Sequence, residues 1–190
     1  MRGDKRERIL RVLLNSKDEN LSKSEISRLA GCTRQWVIKF LKELQLKKLS
    51  KNTKIVNKKQ AIKYWISISK KQENFKSYMV KEPLKILEKT KLDYSLTTYQ
   101  AENLVQHYLF PSRIDIYVKK EDENKWHSLM TKNGLYGKGN VRVIFTDEHT
   151  MYAKRKIKKL FVVSVPQLIV DLANEGGPCQ EAADMLLEKV

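Results

Sequence analysis

The 190-residue chain has few of the residues that staple or break a fold: two cysteines, four prolines and seven glycines. Cys32 and Cys179 stand alone, without a C-x-x-C pair or neighbouring histidines. That argues against a disulfide scaffold and a structural zinc, and fits a reducing, cytoplasmic compartment. The longest run free of charge, "LFVVSVPQLIV" at 160–170, is broken by Pro166 and too short to cross a bilayer. At the N-terminus, charge returns too soon after the apolar stretch for a secretion signal. Glycine-rich chemistry is missing as well: there is no P-loop, no G-x-S-x-G and no H-E-x-x-H. Gly134, Gly137 and Gly139 in "GLYGKGN" follow a helical pattern and precede a strand, whereas a phosphate loop precedes a helix, so they read as a turn. His107, His127 and His149 are scattered without ligand spacing, and no metal or cofactor is expected.

What the chain has in excess is positive charge, a net +16. Residues 1–91 hold 25 Lys and Arg against 9 Asp and Glu, while residues 92–190 hold 13 of each. A uniform excess could serve solubility, but a one-sided excess points to a polyanionic partner for the first half. With 41% hydrophobic residues, the chain can also build real cores.

The first half reads as three helices and a hairpin. "DKRERILRVLLNS" sets Ile9, Val12 and Leu13 on one helical face. Ser22 and Glu25 have the spacing of a capping box, with Leu21 and Ile26 placed as a hydrophobic staple. Gly31 can end that helix in a left-handed conformation, and Thr33 can cap the next, which runs to about Lys48. In the third helix Val37, Phe40, Leu41 and Leu44 form a core stripe, while Arg34, Gln35, Trp36 and Lys39 face elsewhere in the opening turns. A DNA-reading helix needs this division, because its first turns reach base edges and its apolar face anchors it. Arg34 can grip guanine, Gln35 can pair with adenine, and Lys39 and Lys42 can meet phosphates. Trp36 either packs on the first helix or lies against a sugar or thymine methyl. Asn52-Thr53 turns a short hairpin whose Lys51, Lys54 and Lys58 can follow the backbone. With Ser22 and Thr33 at the helix starts, these residues form the candidate DNA surface. The order of elements over 5–70 resembles winged-helix DNA-binding domains.

The second half mixes strands and helices, so the expected class is α+β: a winged helix-turn-helix at 1–70, a linker and connecting helix at 71–91, and a mixed α/β domain at 92–190. The abrupt change in charge suggests that the two halves are separable. "RIDIYVK" and "NVRVIFT" alternate as strands, "KIKKLFVVSV" is a further strand, and "PQLIVDLANEGG" is a proline-started helix. Asp115 lies where nucleotidyltransferases carry two carboxylates one residue apart, but Tyr117 stands at the second position. Asp115 therefore reads as a strand-edge or hydrogen-bonding residue, and the chain as no enzyme.

Several stretches together resemble the AbiEi family, the winged-helix antitoxins of type IV abortive-infection systems. They are Tyr94, Leu96, Thr97 and Ala101 in "YSLTTYQAENLV"; Tyr117-Val118; Val163, Ser164, Gln167, Leu168, Asp171 and Leu172; and Glu181-Ala182-Ala183. The chain departs from that pattern at Thr98, where the family carries glycine, and at "GGPC". The resemblance implies a repressor of its own operon that counteracts a nucleotidyltransferase-like toxin. Operator recognition would use an inverted repeat, with a homodimer on duplex DNA and no membrane partner. Gln167, Asp171 and the basic strip Lys154, Arg155, Lys156, Lys158 and Lys159 are the candidate partner surface, although a solvated hairpin also accounts for the strip. The alternatives are a regulator whose second domain senses a ligand or dimerises, and a nucleotidyltransferase-related enzyme.

Overall fold

The computed structural model describes residues 4–17 and 21–190. The protein is α+β, built around a seven-stranded mixed sheet. Helices α1 (Lys5–Asn15), α2 (Lys23–Ala30) and α3 (Arg34–Leu46) come first, followed by strands β1 (Ser50–Lys51) and β2 (Lys54–Ile55) and helix α4 (Lys58–Ile68). Local chemistry sets these ends. Ser22 and Glu25 form a reciprocal capping box, Gly31 closes α2 at φ 60°, and the Thr33 hydroxyl accepts from Trp36 N. Ile9, Val12, Ile26, Val37, Phe40 and Leu44 bury the facing stripes in one core. Asn52 takes a left-handed conformation at the turn of the β1–β2 hairpin, as such turns require.

The segment 71–91, expected as a linker and connecting helix, contributes helix α5 (Pro83–Lys89) but also strand β3 (Phe75–Val80). Strand β3 pairs with β6 (Gly134–Tyr136) on one side and β7 (Val141–Thr146) on the other. It escaped the sequence reading because only Tyr78 and Val80 are deeply buried, leaving little apolar pattern among the lysines. A fragment beginning at Lys81 would lose this internal strand, so the halves do not separate there. "GLYGKGN" likewise supplies edge strand β6 as well as a turn. Cβ atoms at Gly134 or Gly139 would fall 2.2 Å from the carbonyl oxygens of Met79 and Tyr78, so this stretch is glycine-rich because it crowds β3.

The sheet order is β6-β3-β7-β5-β4-β9-β8, where β4 is Ser95–Thr97, β5 Ile114–Lys119, β8 Arg155–Ile157 and β9 Leu160–Val162. Its centre has two different faces. Leu96, Ile116, Val118, Val141, Val143 and Phe145 lie on one, where Trp126 of α7 (Glu123–Lys132) and Tyr94 also pack. Thr97, Asp115, Tyr117, Arg142 and Ile144 lie on the other, which is buried as well. That second face is covered by α6 (Thr98–Gln106) and α8 (Val165–Glu175), with α9 (Pro178–Glu188) packed on α8. Helix α8 also meets α1 and α4, so it joins the first half to the second.

Candidate nucleic-acid interface and the ion pairs behind it

Helix α3 carries the candidate surface. Its apolar stripe is in the core, which turns Arg34, Gln35, Trp36, Lys39 and Lys42 outward, all of them exposed. Lys5 and Lys39 hold their ammonium groups 5.0 and 5.6 Å from the Trp36 ring centre, so this half-covered tryptophan borders both α1 and solvent. Lys51, Lys54 and Lys58 are exposed along the hairpin and the start of α4. Among the described residues, no carboxylate lies within ion-pair distance of Arg34, Lys39, Lys42, Lys51 or Lys58. Ser22 and Thr33 are exposed too, but their hydroxyls accept backbone N–H groups as caps.

Cations of the polar sheet face are used differently. Asp115, fully buried, receives two-pronged grips from Arg113 at 2.7 and 2.9 Å and from Arg142 at 3.0 and 2.9 Å. Both guanidiniums continue to Glu175, where Lys71 joins at 3.0 Å. Burial opposes ionisation of Glu175, but hydrogen bonds from Arg113 and Lys71 and the nearby Arg142 bring its pKa down to about 2. Asp115 is therefore central rather than at a strand edge, and its lone carboxylate is tied to two arginines. Thr98 also donates to it, and holds a left-handed φ of 47° to do so. A β-branched residue rarely adopts that conformation. The hydrogen bond to Asp115 offsets part of that strain.

A second cluster locks α1 to α8. Arg11 Nε donates to Gln167 Oε1 at 2.5 Å, Gln167 Nε2 donates to Asp171 at 2.7 Å, and Thr97 and Tyr117 donate to the same carboxylate at 2.5 and 3.0 Å. Glu7 accepts from Arg11 and from Trp65 Nε1, which draws in α4. Burial pushes the Asp171 pKa up to about 6 despite these donors. Gln167 and Asp171, expected as exposed partner residues, are only 2% and 8% exposed, and cannot form a docking surface. They occupy the inward side of α8 because this face of the sheet is polar. Arg11 and Arg142 were missed by sequence reasoning. The available signal was the pairing of Asp115 and Tyr117 two residues apart, facing the same way.

A third contact lies at the end of α2. Arg8 Nε donates to Asp147 at 2.8 Å, and His149 Nε2 sits 3.1 Å from the Leu29 carbonyl. Burial lowers the His149 pKa to about 4, with nearby Arg11 and Arg8 adding to the effect. Beyond it, Lys154 pairs with Asp93, while Arg155, Lys156, Lys158 and Lys159 stand exposed on the β8–β9 hairpin. Among the described residues, no three His, Cys, Asp or Glu side chains group to hold a metal ion, and no helix is long and apolar enough to cross a membrane. Comparison with protein-family models, curated proteins and solved structures finds no match to this chain.

Proposed function

We propose that the chain is a DNA-binding transcriptional regulator, with α1–α3 and the β1–β2 hairpin acting as a winged helix-turn-helix. The observation that carries this reading is the exposed, unpaired row of Arg34, Lys39 and Lys42 with Gln35 and Trp36 on a helix anchored by its opposite face. Base-reading groups sit in the opening turns and cations flank them, as readout in a major groove demands. Operator recognition uses two half-sites of an inverted repeat bound by two copies. The AbiEi-like motifs extend the proposal to an autorepressing antitoxin that counteracts a nucleotidyltransferase-like toxin, without catalysis of its own. The Arg11–Gln167–Asp171 joint favours one further reading, a regulator whose second half transmits a ligand or dimerisation signal to α1.

Selection of bound duplexes from a random pool tests the central proposal. Enrichment of a two-half-site sequence supports it, and recovery of an unenriched pool contradicts it. Growth rescue on co-expression with the product of an adjacent nucleotidyltransferase-like gene separates the antitoxin from the signal-transmitting regulator.

A further inference from the structure

The second half carries a cationic element that the charge balance of 92–190 conceals. The β8–β9 hairpin presents Arg155, Lys156, Lys158 and Lys159, and among the described residues none has a carboxylate within ion-pair distance. Elsewhere in this half Lys119 pairs with Glu148, Arg113 with Asp115 and Lys154 with Asp93. Lys158 takes a left-handed φ of 55° at the hairpin turn, a place suited to glycine or asparagine. Lys48, just beyond α3, does the same at φ 57°. Both turns thus carry a cation at a position where glycine or asparagine would be less strained.

Position gives this charge a use. An open groove of about 470 Å³ is lined by Arg28, Leu29 and Gly31 at the α2 end and by Tyr152 and Lys154 at the base of the hairpin. Gly31 lies three residues before Arg34, the first residue of α3. The acidic groups in the groove are engaged: Asp147 with Arg8, Glu148 with Lys119 and Asp93 with Lys154. Among the described residues Arg28 at one rim has no ion pair, and Lys154, next in sequence to Arg155, stands at the other. The Arg8–Asp147 and His149–Leu29 contacts hold the two rims together, and Lys154, the residue before the hairpin, lines the same groove as the end of α2.

We infer that the β8–β9 hairpin is a second DNA contact, with Arg155, Lys156, Lys158 and Lys159 gripping phosphates that flank the segment read by α3. This inference rests on the DNA-binding reading above and extends it to the second half. The occupant is duplex DNA because point cations on a turn meet a regularly spaced polyanion without needing shape complementarity. An acidic protein surface is the competing occupant.

The test uses the full chain and a variant with Arg155, Lys156, Lys158 and Lys159 all changed to alanine, after matching their melting curves. Affinity is measured against salt on duplexes of about 14 and about 30 base pairs, the longer one carrying flanks. Each lost phosphate contact reduces the slope of log affinity against log salt by about 0.9. On the long duplex the variant should lose at least about two such increments, while on the short duplex the two proteins should agree closely. Equal slopes on the long duplex overturn the inference and leave the DNA-binding reading standing, with an acidic protein as the hairpin's partner. Absence of binding by the unaltered chain overturns both. Changing Lys158 to asparagine suits the turn and removes one cation, so a slope reduced by about 0.9 with melting unchanged or raised confirms a phosphate contact there.

Discussion

The cations of α3 and those of the polar sheet face are chemically alike and do opposite work. Among the described residues Arg34, Lys39 and Lys42 face water without an ion pair, whereas Arg11, Arg113 and Arg142 hold Asp115, Glu175 and the Gln167–Asp171 pair. Net charge therefore says little about where a polyanion binds; what matters is which cations lack an internal partner. Buried pairs hold position and are costly to break, while exposed unpaired charge contributes little to stability and remains available for a ligand.

The largest effect should come from breaking a buried pair. Replacing Arg142 with methionine keeps most of the volume but strips Asp115 of one of its two two-pronged partners, leaving Arg113. A loss of about 3 kcal/mol, the low end for a broken buried pair because Arg113 remains, is expected in denaturant unfolding. Lys42→Ala should stay within about 0.5 kcal/mol of the unaltered chain in the same assay. On the DNA side, Arg34→Ala should cost about 1–3 kcal/mol, concentrated at one base position, with melting unchanged. Uniform weakening across all sequences would instead make Arg34 a phosphate contact.

Thr98 sharpens the contrast on a finer scale. Thr98→Gly relieves the left-handed strain but loses the bond to Asp115, whereas Thr98→Val keeps the strain and loses the bond. The valine variant should be the less stable in a melting comparison. If the two melt alike, strain at this position contributes nothing.

The smallest predicted effect is in the pH dependence, because two groups oppose each other. From its ordinary 6.5 down to about 4, His149 stays neutral in the folded chain while the unfolded chain takes up the proton, so acidification costs stability. Asp171 binds its proton near 6 when folded and near 3.8 when unfolded, so acidification across that window adds stability. The unaltered protein should change little between pH 6 and 5, above the range where Glu175, lowered to about 2, begins to lose its contribution. Asp171→Asn should unmask a fall on acidification, and His149→Gln a rise. Parallel stability curves for all three proteins would show that neither group is shifted.

Local chemistry made the first half legible. The capping box at Ser22, the left-handed Gly31 and the α3 stripe depend on neighbours within a few residues, and each forms as the spacing predicts. Alternation in "RIDIYVK" also located β5, but not the helices α6 and α8 that cover its polar side. A period of two tells faces apart without telling what covers them. Arg11 and Gln167 are 156 residues apart, and nothing local marks either as the other's partner. The same blindness placed Gln167 and Asp171 outside on a helix whose inward side is polar. Exposure of the candidate DNA residues was readable because it follows from one helix and its own apolar stripe.

The account stands or falls on duplex binding by the full chain compared with a variant carrying Arg34→Ala and Lys39→Ala, both verified to melt at the same temperature. At about 0.1 M salt, on a duplex selected by the unaltered protein, the account predicts tight, salt-sensitive binding that falls at least tenfold in the variant, as loss of a base contact and a phosphate contact requires. Equal affinity of the two proteins, or no binding by the unaltered chain at any salt concentration, would contradict it.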